Sequence, residues 1–142
     1  VTMRITSPAG RLGERLAAAH LRARGLRILG RNVRVHAGEA DLVARDDAVI
    51  VLVEVKTRVR RPGAPERSLR TPPEASITAH KRAKLRQVAR ALIVANGWQE
   101  RPVRIDVIAV ELTPSPGRVN AMLRALGLRL GWRVELRHYP GA

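Results

Sequence analysis

The sequence predicts an α/β fold, and three observations carry that reading. Apolar residues recur at spacings of three and four over residues 9–24 and again over residues 76–95, the spacing of one helical face. Residues 26–56 change to alternating and β-branched patterns, the mark of strands. After the second helix the strand pattern returns in VRIDVIAVEL. A chain of 142 residues with 45% hydrophobic content holds this succession of helix, three strands, helix and strand in one domain.

The first helix places Leu12, Leu16, Ala19 and Ala23 on one side, with arginines between them. Ser7 is its N-cap, Pro8 fits its first position and Gly25 stops it. Leu26 to Val35 alternate weakly, Gly38 to Arg45 alternate better, and Ala48 to Lys56 are almost continuously apolar. Asp46 and Asp47 suit a tight turn, which makes the second and third strands antiparallel neighbours. Residues 59–75 contain Pro62, Pro65, Pro72 and Pro73 and read as a long loop. The second helix presents Ile77, Leu85, Val88, Ala89, Leu92 and Ile93 on one stripe and Lys81, Lys84 and Arg90 on the other, and Asn96-Gly97 ends it. Pro102 opens the next strand and TPSPG at 113–117 breaks it. The tail from Arg118 is compatible with a short helix and a terminal strand, WRVELR.

Composition narrows the function classes. The absence of Cys excludes disulfides, thiolate metal sites and Cys nucleophiles, and it fits a reducing cytoplasm. No apolar run is long enough to span a bilayer, and the opening VTMRITSPAG lacks a signal-peptide core, so a soluble, unexported protein is expected. Lys and Arg number 27 against 12 Asp and Glu, a formal charge of +15 that attracts polyanions, with nucleic acid first among them. Arg supplies 24 of the 27, a surface that coding bias alone can also produce. With no Phe, one Tyr and two Trp, a base-stacking platform is not expected.

The third strand carries the chemistry. It is apolar on both faces until Glu54, so a carboxylate and the Lys56 amine at its end need a partner or a use. An even turn at Asp46-Asp47 makes Glu39 face Glu54 and Asp41 face Leu52, which puts Glu39, Asp41, Glu54 and Lys56 on one face. Carboxylates about 5 Å apart repel by roughly 3 kcal/mol per pair at an effective dielectric near 20. One Lys cannot neutralise three of them, and a divalent cation can. Oxygen ligands beside a Lys suit Mg²⁺ or Mn²⁺, which activate water for phosphodiester hydrolysis. On this view Asp41→Asn relieves repulsion, and the metal-free variant melts at the same temperature or higher. The plainer alternative is a buried ion-pair cluster that braces the sheet.

Gly38-Glu39-Ala40-Asp41-Leu42, followed by Val53-Glu54-Val55-Lys56-Thr57-Arg58, resembles the PD-(D/E)XK signature of the restriction-endonuclease-like fold. The closer similarity is to the YraN family of uncharacterised bacterial proteins. It extends to Gly13-Glu14, Arg31-Asn32, Lys81 and Arg104-Ile105-Asp106-Val107, and covers residues 11 to about 111. Ala40 stands where many nucleases have Pro, Leu52 and Ile105 replace aromatics, and the Pro140-Gly141-Ala142 ending matches the family only in part. The resemblance implies an α-β-β-β-α-β core with a mixed central sheet flanked by helices. It further implies that Asp41, Glu54 and the Val55 carbonyl hold the metal, that Lys56 orients the water and that Glu14 approaches from the first helix. Archaeal Holliday-junction resolvases share this arrangement, so branched or single-stranded DNA is the substrate suggested by analogy.

Other residues have a functional and a plain reading. Glu14 also suits the dipole of the helix start. Asp106 is read as a structural residue paired with Arg104 or Arg31. His20, His36, His80 and His138 lack ligand spacing and are expected at the surface. Arg58, Lys81, Arg60 and Arg61 are candidate phosphate contacts, whereas Arg60, Arg61, Arg67 and Arg70 serve equally as solvated loop residues. Two classes result: a metal-dependent DNA phosphodiesterase, or a basic nucleic-acid-binding protein that keeps a nuclease-like fold without turnover. A homodimer is compatible with either. A scaffold for protein partners would need an apolar patch that the sequence does not offer.

Overall fold

The computed structural model describes residues 7–60, 77–114 and 132–142. Helix α1 spans Pro8–Ala23; Ser7 Oγ accepts the Gly10 N–H at 3.1 Å, and Pro8 occupies the first turn, where a missing N–H costs nothing. Three strands follow as an antiparallel meander: β1 (Arg27–Val35), β2 (Gly38–Asp46) and β3 (Val49–Val59). Helix α2 (Ala79–Asn96) is capped by Thr78, whose hydroxyl accepts the Lys81 N–H at 3.2 Å, and it closes on Gly97 at φ 67°, a left-handed position that favours glycine. The helical crossover returns the chain parallel to β3 as β4 (Val103–Pro114), and β5 (Trp132–Tyr139) pairs antiparallel with β4. The sheet order is β1-β2-β3-β4-β5, so the chain forms an α/β protein with a mixed five-stranded sheet.

The central strand β3 is covered on both faces, as its unbroken apolar run requires. Val51 and Val53 pack with Leu12, Leu16 and Leu21 under α1, and Ile50 and Leu52 pack with Val88, Ala89 and Leu92 under α2. At Gly13 a Cβ would sit 1.8 Å from Thr57 Oγ1, so only glycine lets α1 lie this close to β3.

Several expectations are corrected. The hairpin turn is Asp47-Ala48, with Asp47 at φ 51°, because Asp tolerates the left-handed region while Asp46 stays extended and pairs with Val49. The register therefore moves by two residues: Val43, not Asp41, faces Leu52, and Leu42 faces Val53. α2 begins at Ala79 instead of Ser76 because Thr78 supplies the cap. β3 continues to Val59 because β4 pairs with it as far as Leu112. The terminal strand is present and extends to Tyr139. Arg61, Arg67, Arg70 and the expected C-terminal helix lie outside the described residues.

Candidate functional site

The site forms where β2 and β3 part. Their ladder ends at Leu42↔Val53, although β2 extends back to Gly38 and β3 forward to Val59. The alternation of β2 breaks at the same point: Ala40 and Val43 join the α2-side core, whereas Leu42 and Ala44 join the α1-side core. Asp41 stands at this break, buried, and its Oδ2 accepts the Val55 N–H at 2.7 Å, the bond a continued ladder would otherwise supply.

The fork also fixes the direction of the β3 backbone. The Ile50 and Arg60 N–H groups bond toward β4, to Pro102 and Leu112 at 2.9 and 2.8 Å. Even-numbered residues of β3 thus face β4, and the N–H and C=O of Val55 face the fork. The cleft there has a volume of about 400 Å³ and brings together Glu14, Asn32, Glu39, Asp41, Val55 and Lys56. Asn32 Nδ2 donates to Glu14 Oε2 at 3.3 Å across the gap between β1 and α1. Asn32 has φ 48°, a conformation few residues other than Gly, Asn and Asp adopt.

Glu54 lies one residue away with its side chain 3% exposed. Its Oε1 accepts from Lys81 Nζ of α2 and stands 3.6 Å from Lys56 Nζ. Glu39 pairs with Arg34 at 3.4 Å. The picture of three carboxylates against one Lys is therefore corrected: Glu54 has two ammonium partners and Glu39 has a guanidinium. Burial pushes the Lys56 ammonium below its ordinary pKa, the neighbouring Lys81 pushes it further, and Glu54 pulls the other way. A second cleft of about 150 Å³, lined by Glu39, Glu54, Lys81 and Lys84, adjoins the first. All three lysines of a chain with 24 arginines thus line these two clefts.

Among the described residues no three His, Asp or Glu side chains form a metal-holding group. The oxygens on offer are those of Asp41, Glu54 and the Val55 carbonyl, an all-oxygen set that fits a small hard cation retaining several waters. Arg58 is exposed beyond the site on β3, and Arg60 stands 3.9 Å from Glu111.

Asp106 belongs to a different cluster. It is fully buried and accepts from Arg104 Nε at 2.8 Å, Arg104 Nη2 at 3.1 Å and the Gly141 N–H at 3.0 Å, with His138 Nε2 at 2.8 Å. Arg104, raised above its ordinary pKa chiefly by its hydrogen bonds to Asp106, is the partner, and Arg31 is not. His36 and His80 are exposed, but the expectation of surface histidines fails for His138, whose side chain is 6% exposed. Its ring meets that of His20 edge to face at 5.3 Å. The single buried carboxylate of β4 draws His138 in from the neighbouring strand, which no local spacing could reveal.

Sequence reasoning missed Lys81 as the partner of Glu54 and Asn32 as the partner of Glu14. The rarity of Lys in this chain was the available signal for the first; nothing local marked the second. The arrangement defines an α/β protein with a polar, lysine-lined corner where its sheet divides. The chain belongs to the uncharacterised protein family UPF0102, whose model matches residues 13–110. It is 44% identical over 115 residues to the UPF0102 protein STH1475 of Symbiobacterium thermophilum, covering 80% of this chain and 90% of that protein. It is 40% identical over 125 residues to a UPF0102 protein of Beutenbergia cavernae, covering 88% of this chain and 100% of the relative. A UPF0102 protein of Nocardioides sp. is 44% identical over 125 residues, with 87% and 94% covered. Among the described residues no helix is long and apolar enough to cross a membrane.

Proposed function

We propose that this chain is a metal-dependent nuclease of the restriction-endonuclease-like superfamily that hydrolyses DNA phosphodiester bonds. The observation that carries the reading is the corner itself: Asp41, Val55, Glu54 and Lys56 meet at a fork lined by every lysine of an arginine-rich chain. Asp41, Glu54 and the Val55 carbonyl would hold Mg²⁺ or Mn²⁺, which supplies water activation and charge stabilisation at the phosphate when bound. Lys56, which lines the cleft beside Asp41 and Val55, would orient the attacking water and place its charge beside the phosphate oxygens. Lys81, paired with Glu54 at the mouth of the adjoining cleft, would serve as a phosphate contact. Glu14, steadied by Asn32, adds a carboxylate at the cleft's α1 side. Arg58, Arg60 and Arg61 extend the positive surface beyond the site. A branched or single-stranded substrate is the proposal for DNA structure, and the cytoplasm is the proposed location.

The ion pair of Lys81 on Glu54 favours a second reading, a basic nucleic-acid-binding protein that keeps the fold without turnover. Incubation of labelled duplex, single-stranded and branched DNA with the parent, Asp41→Asn and Lys56→Ala, in Mn²⁺ and in EDTA, decides between them. Mn²⁺-dependent cleavage lost in both variants supports the nuclease. Binding without cleavage supports the second reading, and absence of binding overturns both.

A further inference from the structure

We infer that helix α2 carries a second phosphate-binding position, at Arg86 and Arg90, separate from the Asp41–Glu54 corner. The inference rests on the nucleic-acid reading above and extends it to a part of the surface that the chemistry does not use. Arg86 and Arg90 are one helical turn apart, both exposed, and wall a cleft of about 410 Å³ floored by Val103 and Ile105 at the start of β4. No side chain lining this cleft is acidic, and the cleft shares no residue with the two clefts of the candidate site. Arg104 also lines it, but its guanidinium is committed to Asp106 and Asp46. Neither Arg86 nor Arg90 makes a hydrogen bond or ion pair among the described residues.

The electrostatics of α2 point independently to an anion from outside. The helix carries Lys81, Arg82, Lys84, Arg86 and Arg90 and no Asp or Glu. Lys81, Arg82 and Lys84 crowd its N-terminal half, the end where the helix dipole disfavours cations. Arg82, Arg86 and Arg90 follow at intervals of four, and like charges at that spacing repel. Glu54 offsets Lys81, and phosphates along the exposed face would offset Arg86 and Arg90. A rise of 1.5 Å per residue places Arg86 and Arg90 about 8 and 14 Å from Lys81 along the axis, and at 3.6 residues per turn both lie on the far side of the helix from Lys81, so they form a position distinct from the Glu54 corner. The cleft lining contains no aromatic ring, so it offers phosphate contacts and no stacking platform for bases.

The test is the salt dependence of DNA affinity, measured by fluorescence anisotropy for the parent, for Arg86→Ala/Arg90→Ala, and for a control, Arg22→Ala/Arg133→Ala, on other elements. Each lost phosphate contact lowers the log–log salt slope by about 0.9 on duplex DNA or 0.7 on a single strand. Between 50 and 200 mM salt the parent should then lose about 12-fold more affinity than the α2 variant on duplex, or about 7-fold more on a single strand, with the control near the parent. An α2 variant with the parent's slope, or a control that falls as far, overturns the inference while leaving the nucleic-acid reading intact. A parent with no DNA affinity overturns both, and unchanged melting of the α2 variant separates either result from misfolding.

Discussion

Replacing Asp41 tests whether the fork between β2 and β3 is closed by a side chain. Asp41 Oδ2 accepts the Val55 N–H at 2.7 Å in a buried position, so the bond is charge-assisted. Asn keeps an acceptor of neutral strength, and the difference between charged and neutral hydrogen bonds predicts a loss of about 1 kcal/mol. Ala leaves the Val55 N–H without a partner and adds a small cavity, for a loss of about 3 kcal/mol. For a chain of this length, these losses lower Tm by about 3 °C and about 10 °C. This reverses the expectation that Asp41→Asn leaves apo stability unchanged or raised, because Lys56, Lys81 and Arg34 already offset the carboxylates. Thermal melts in EDTA measure the ordering parent, Asn, Ala; repeating them in Mn²⁺ should raise the parent's Tm and leave both variants in place. An Ala variant that melts with the parent in EDTA refutes the fork geometry. A parent unmoved by Mn²⁺ refutes the ligand assignment alone.

Gly13→Ala drives a Cβ into Thr57 and should cost about 1–3 kcal/mol by overpacking, with partial rescue by Thr57→Ala in chemical denaturation; an undisturbed single variant would show that α1 does not lie this close to β3. Asp106→Ala strands Arg104 and His138 around an empty position and should cost about 3–5 kcal/mol without altering Mn²⁺ affinity; a change in that affinity would tie Asp106 to the site. Burial, then His138 and Arg24, lower the His20 pKa below its ordinary 6.5, so the unfolded chain binds the proton more readily. The contribution of His20 is complete above pH 6.5 and declines as pH falls from there toward the lowered folded value. Denaturation at pH 5 to 8 should therefore show an acid loss that His20→Gln reduces, and equal pH slopes would contradict it.

The parts of the fold that local physics decides were legible in the sequence. Ser7-Pro8, the β-branched run at 49–55 and Asn96-Gly97 each locate an element boundary by its own chemistry, and the structure follows them within a few residues. The hairpin register was not legible. Asp46-Asp47 and Asp47-Ala48 are both acceptable turns, and only the packing of Leu42 against Val53 and of Val43 against Leu52 separates them. The even parity of the turn survived, but the alternation it predicted for β2 breaks at Asp41, so Asp41 and Lys56 line one cleft and Glu54 the adjoining one. Partners supplied by distant elements stayed invisible: Lys81 on Glu54 spans 27 positions and His138 on Asp106 spans 32, and no periodicity reports on such separations.

The choice of base at this corner bears on what it can do. Arginine serves the rest of the surface, since a guanidinium keeps its charge at any physiological pH and suits contact with phosphates. An ammonium is the cation whose charge a protein can loosen, by burying it and placing another cation beside it. Lys56 has both conditions, burial first and Lys81 second, and Glu54 holds the pair together against their repulsion. A brace for the sheet needs neither condition, because a guanidinium would bind Glu54 through two hydrogen bonds and stay charged. On the proposed reading, the lowered ammonium of Lys56 is what distinguishes this corner from such a brace. The corner tolerates Lys56 at the end of an apolar strand and Lys81 on α2 because both are half-buried and both face the buried carboxylate of Glu54.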